Sequence, residues 1–204
     1  MTNPAGVTTP TPHVLAKRQK RRQQILHAAL EAVRDHGYHA TTLEDIAERL
    51  GMRKTALYHY FPDKDAILYA CHRESLAELD RLIGEAEQCC ERASERLRYL
   101  IREHVRVMTD SLEGSPLAFE VPALSLDRRA EIIAGRDRYE GVLRHLVVEG
   151  IRTGEFRRQD PKVVVFAILG AINWISRWYR PGGGLTGREL GEQYADFLLA
   201  GLAP

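Results

Sequence analysis

Apolar residues return every three or four positions along most of the chain, the signature of amphipathic helices, and no run alternates as a strand does. Ile25, Leu26, Ala29, Leu30 and Val33 define a first helix that opens on the basic run Lys17, Arg18, Lys20, Arg21, Arg22 and stops at Gly37. Ile67, Leu68, Cys71, Leu79 and Leu82 mark a long fourth helix. Further helices are predicted over residues 97–112, 127–151, 161–179 and 188–202. The breaks between them fall at Gly114-Ser115-Pro116, Thr153-Gly154, Asp160-Pro161 and Pro181 to Gly184. The fold class is all-α.

Residues 41–61 read TTLEDIAERLGMRKTALYHYF. Thr41 and Glu44 have capping-box spacing, and Leu43, Ile46, Ala47 and Leu50 form one apolar face, so a short helix starts near Thr42. Gly51 supplies the permissive backbone of a tight turn and Met52 plugs it. A second helix opens near Arg53 or Lys54 with Leu57 and Phe61 inward, leaving Arg53, Lys54, Thr55, Tyr58 and His59 outward, types suited to base edges and phosphates. Tyr58 and Tyr60 can equally pack the module.

This layout resembles the TetR family of repressors over residues 22–68, through Gly37-Tyr38, Thr41-Thr42, Ile46-Ala47, Leu50-Gly51, Leu57-Tyr58, Tyr60-Phe61 and Lys64 to Leu68. The resemblance implies an N-terminal three-helix DNA-binding module with a helix-turn-helix, followed by a C-terminal helical ligand-binding and dimerisation domain. It implies phosphate contacts from Thr42, Tyr60 and Lys64, and base or groove contacts from Arg53, Thr55, Tyr58 and His59, with Lys54 and Arg22 beside them. Arg53 departs from the small Ser or Thr usual there, and an Arg pairs with guanine or with phosphate. Such modules act in pairs on a near-palindromic double-stranded DNA operator, so a homodimer is expected.

Charge sharpens the division. The formal net charge is +1, but residues 1–62 carry nine Lys or Arg against five Asp or Glu, while the rest carries 20 against 23. Basic residues at the start of helix 1 oppose its macrodipole, which suits contact with phosphate better than helix stability, a solvated polar face being the other reading. The expected organisation is a Thr/Pro-rich disordered tail at 1–15, the DNA-binding domain at 16–62 and the ligand-binding and dimerisation domain at 63–204. No signal peptide is recognisable, and Cys71, Cys89 and Cys90 form no C-x-x-C pair, which favours a reducing cytoplasm. The vicinal Cys89 and Cys90 are either helix filling or a redox sensor.

In the C-terminal part, residues 161–179 are apolar nearly all round and are expected to be buried on several sides. The family resemblance implies that the last two long helices pair with their copies as a four-helix bundle. Residues 170–181, GAINWISRWYRP, then Gly184-Leu185-Thr186 and residues 197–202, resemble TetR members that respond to acyl-CoA or other CoA thioesters from fatty-acid, phenylacetate or steroid-ring degradation. Arg136, Tyr139 and Glu140 fit the same subfamily. Asn173, Trp174, Arg177 and Trp178 then form an aromatic patch edged by amide and guanidinium, suited to adenine or thioester. Two tryptophans in dimer-interface core are the competing reading. Met108, Phe119, Tyr139 and Leu143 are candidates for an apolar acyl cavity, and for ordinary core.

Other classes find little support. The chain has no G-x-S-x-G, no P-loop, no strand-led G-x-G-x-x-G and no H-E-x-x-H, so no enzyme, cofactor or metal site is expected. His72, His104 and His145 are the one trio that could converge on a metal. The apolar run 163–175 is too short to span a membrane. A regulator of an efflux pump that senses lipophilic compounds remains the alternative, with a catalytic use of the cavity further behind.

Overall fold

The computed structural model describes residues 11–111 and 119–204. Among them are eight α-helices and no strand: α1 (Pro12–His36), α2 (Leu43–Arg49), α3 (Lys54–Tyr58), α4 (Lys64–Cys89), α5 (Ala93–Arg106), α6 (Leu126–Arg152), α7 (Pro161–Trp178) and α8 (Gly187–Ala200). A π-helical turn (Val107–Ser111) extends α5, and a 3-10 turn (Val121–Ala123) precedes α6.

The first helix starts before the basic run. Thr11 stands at the N-cap in extended conformation, Pro12 occupies the first helical turn, and Leu15 N–H closes onto Thr11 C=O at 3.1 Å. Proline costs nothing there because that N–H has no helical partner anyway. The expected tail at 1–15 is therefore corrected: residues 12–15 are helical, and residues 1–10 lie outside the described ones. The predicted Gly114-Ser115-Pro116 break also lies outside them. α5 opens at Ala93, earlier than expected, with the Glu95 carboxylate accepting from Arg92 N–H at 3.2 Å.

One continuous core joins the ends of the chain. Ile25, Leu26, Ala29 and Leu30 of α1 pack with Ile46 of α2, Leu57 of α3 and Phe61 just beyond it, and with Ile67, Leu68 and Cys71 of α4. The same core passes through Leu79 and Leu82 into α5, where Leu97, Leu100, Ile101 and Val105 meet α6, α7 and α8. The α5–α8 pair makes the most extensive contact. A Cβ at Gly191 would stand 2.7 Å from the Arg102 carbonyl oxygen, so only glycine permits that approach.

Helix α4 belongs to both halves. Asp63 caps it, accepting from Ala66 N–H at 2.6 Å. Arg128 of α6 reaches Asp65 at 2.5 Å and Asp63 at 3.5 Å, and the Ser125 N–H donates to Asp65 at 3.1 Å. Motion of α6 therefore reaches the first turn of α4, directly after the helix-turn-helix.

Candidate functional site

The N-terminal site is built on α2 and α3. The cap of α2 is Thr42 with Asp45: Asp45 N–H donates to the Thr42 hydroxyl oxygen at 3.2 Å, and Thr42 N–H to the Asp45 carboxylate at 2.8 Å. The expected Thr41–Glu44 box is one residue out of register. Thr41 is buried and its hydroxyl donates back to Gly37 C=O at 2.8 Å, while Glu44 pairs with Lys54. Thr42 is exposed, and its hydroxyl proton is still available.

Gly51 turns the chain at φ +58°, a left-handed conformation that favours glycine, and Arg53 caps α3 from extended backbone. Leu57 and Phe61 are buried as expected; Arg53, Thr55, Tyr58 and His59 are exposed. Lys54 is bound to Glu44 across the two helices, with its ammonium 5.7 Å from the centre of the Tyr58 ring. Tyr60 is half-buried against the core, so packing accounts for part of it.

Lys64 is turned inward. Its ammonium donates to the carbonyls of Tyr38 (2.7 Å), Thr41 (2.8 Å) and His39 (3.4 Å) and lies 4.2 Å over the Tyr38 ring. Burial lowers its pKa, partly opposed by the charge of Glu120. An ammonium has three protons, so a phosphate contact from Lys64 requires breaking one of these bonds. Arg22 lies 4.3 Å over the Phe61 ring and is half-buried. Arg18, one turn earlier, lines a groove with Arg22 and Tyr60. The i, i+4 spacing of the two arginines was the sequence signal for Arg18 as part of this face.

The predicted ligand set divides. Met108, Tyr139 and Asn173 line a cavity of about 100 Å³ between α4, α5, α6 and α7. Leu143 is fully buried in the core and does not line it. Trp174 and Trp178, 58% and 45% exposed, face outward, which corrects their expected grouping with Asn173. Adjacent helical residues point about 100° apart, so Asn173 and Trp174 cannot share a face closely. The Trp178 ring instead meets Tyr179 edge to face, centroids 6.4 Å apart. Arg177 stacks at 4.6 Å over Phe119, both on the surface. Val163 and Phe166 join Trp174 on the exposed stripe of α7, and Phe197 of α8 is 80% exposed, so α7 is buried on its inner side only.

The cavity also holds residues that periodicity did not single out as ligands: His72 of α4, His104 of α5 and Arg136 of α6. His104 meets Tyr139 edge to face, centroids 5.2 Å apart. His145 is exposed, away from this cavity, so the three histidines do not converge. Among the described residues no cluster of three or more His, Cys, Asp or Glu side chains could hold a metal. Cys89 and Cys90 lie at the end of α4 with sulfurs 2.6 Å apart; burial, then the bond to Cys89, pushes the Cys90 thiol up to about 11.

Burial and then the Arg136 charge lower His72 to about 3 and His104 to about 4, from 6.5. With the folded pKa below the unfolded one, the unfolded chain takes up protons first as pH falls. The stability contributed by these neutral imidazoles is therefore present above pH 6.5 and declines as pH falls, to about 4 for His104 and about 3 for His72. Denaturant unfolding across that window is expected to show up to about 1.4 kcal/mol per pH unit for each imidazole, and His104→Leu to remove its share.

Residues 25–71 match the bacterial regulatory proteins of the tetR family, and residues 90–202 match the tetracyclin repressor-like C-terminal domain. The chain is 30% identical over 193 residues to the HTH-type transcriptional repressor KstR2 of Mycobacterium tuberculosis (strain H37Rv), covering 89% of this chain and 92% of that protein. The solved structure of ketosteroid transcriptional regulator KstR2 of M. tuberculosis superposes with TM-score 0.83 at 27% identity, covering 90% of this chain and 95% of that one. AibR, solved in complex with isovaleryl coenzyme A and operator DNA, gives TM-score 0.77 at 30% identity, covering 90% and 98%.

Proposed function

Since the chain belongs to the TetR family of bacterial regulators, we propose that it represses transcription by binding a near-palindromic operator as a homodimer and is released by a small-molecule effector. One face of the N-terminal module carries this function: a capped α2 and a short α3 present Thr42, Arg53, Thr55, Tyr58 and His59 to solvent beside Arg18 and Arg22. In this reading Thr42, Tyr60 and the α1 arginines hold phosphates, and Thr55, Tyr58 and His59 read the groove. Lys64 keeps the loop before α2 in place and reaches phosphate only if it leaves the carbonyls. The outer stripes of α7 and α8 supply the dimer interface, where Trp174 and Trp178 are covered by the partner. Among the described residues no helix is long and apolar enough to cross a membrane. The cytoplasm, where the DNA is, is the proposed place of action.

The first effector to test is a CoA thioester, supported by the complex of AibR with isovaleryl coenzyme A and by the residue pattern at 170–181. The cavity takes its walls from α4 and α6, the two helices that Asp65 and Arg128 link at the base of the DNA module. An effector that separates or rotates them alters the spacing of the two recognition helices, which must sit about 34 Å apart to enter successive major-groove faces. A tenfold loss of operator affinity requires about 1.4 kcal/mol of coupling. A gel shift on DNA flanking the chain's own gene, titrated with acyl-CoA thioesters and the free acids, is expected to show release by at least one thioester. Release only by unesterified lipophilic compounds would instead favour a regulator of efflux.

A further inference from the structure

Three buried polar atoms without a hydrogen-bond partner surround the cavity: the Tyr139 hydroxyl, His104 Nδ1 and His72 Nε2. Their residues are 3%, 5% and 2% exposed. Buried polar groups are normally paired, so three on one small cavity need a common explanation. Asn173, Ser75 and the largely buried Arg136 add further polar groups, and among the described residues no carboxylate lines the space. A neutral imidazole has one N–H donor and one acceptor nitrogen, a phenol has one O–H donor, and a guanidinium only donates, so the lining can donate to one ligand oxygen from several sides. The matching ligand atoms are acceptor oxygens. At about 100 Å³ the cavity has room for roughly three waters' worth of volume, a group of a few heavy atoms rather than a long hydrocarbon tail.

We propose that this cavity takes a short acyl group carrying an acceptor oxygen, as carbonyl or carboxylate, at the end remote from the thioester, recognised by Tyr139, His72, His104 and Arg136. The thioester part rests on the effector reading above; the oxygen recognition rests on the cavity alone. A plain alkyl chain would leave all three polar atoms unpaired and bind correspondingly worse.

The experiment is calorimetric titration of the full-length protein with five-carbon probes: valeryl-CoA, 4-oxovaleryl-CoA, glutaryl-CoA, and free 4-oxovalerate and glutarate. At least one oxygenated thioester is expected to bind about tenfold to a hundredfold tighter than valeryl-CoA. Preference for glutaryl identifies a carboxylate on Arg136, and preference for 4-oxovaleryl a carbonyl on Tyr139 or a histidine. Tyr139→Phe removes one hydroxyl without changing the ring, and should reduce the ratio of oxygenated-thioester to valeryl-CoA affinity about tenfold. His104→Gln provides the second variant should Tyr139→Phe lose its thermal transition. Equal binding of all thioesters, a preference untouched by both variants, or no binding of any oxygenated probe overturns the proposal. Equal binding of free acids and thioesters keeps it while removing the CoA reading.

Discussion

Trp174→Glu with Phe197→Glu is expected to yield a folded monomer of 23.1 kDa by light scattering and to lower operator affinity about a thousandfold, the low end of the gap between specific and non-specific binding. Trp174 is 58% exposed and Phe197 80%, on helices whose opposite sides, with Ile168, Ile172 and Ala195, are fully buried. Covering such rings is worth about 1.5–3 kcal/mol each, and a symmetric interface counts every one twice. Glutamates there would have to lose their hydration on association, so the variant should stay apart. Neither ring belongs to the buried core, so the monomer should keep its helical content. A variant that remained dimeric and kept its affinity would place the interface elsewhere.

Tyr58→Ala combined with Thr55→Ala is expected to weaken operator binding by roughly ten- to a hundredfold per lost contact, about 1–3 kcal/mol each, with little change on unrelated DNA. Both side chains are exposed at the outer face of α3, while Leu57 between them is buried and carries the packing. Arg18→Ala should behave differently: affinity falls on every sequence, and the log–log salt slope drops by about 0.9 for the lost phosphate neutralisation. Competition titrations against operator and random DNA at several salt concentrations separate the two. Equal losses on both DNAs for the α3 variant would remove Tyr58 and Thr55 from sequence reading.

The helix-turn-helix was legible because its signals are local. Periodicity, a glycine that needs positive φ and a capping Thr lie within 21 consecutive residues, and α2, α3, Leu57 and Phe61 stand where these put them. The one-residue error in the cap arose because Thr41 and Thr42 both precede an acidic residue at the right spacing. Only the bond of the Thr41 hydroxyl back to Gly37 C=O, which takes Thr41 out of the cap, decides between them.

The effector cavity was less legible. Asn173 and Trp174 are neighbours in sequence, yet one faces the cavity and the other solvent, and which side of α7 is inward depends on α5 and α6. His104 sits at the spacing of Leu100 and Met108, so its burial could be anticipated. That its nitrogen is unpaired, opposite Tyr139 and His72, is a property of four helices brought together and has no local signature. Lys64 shows the same limit: its place in the motif suggests phosphate, and the structure gives it three backbone carbonyls.

The most direct measurement is a DNase footprint of the purified protein on the DNA flanking its own gene, with the chain stoichiometry determined on the shifted complex. A protected near-palindrome whose half-sites lie about one helical turn apart, bound by an even number of chains, is the predicted result. Uniform protection without sequence preference, or a single chain on an asymmetric site, would contradict a dimeric operator-binding regulator.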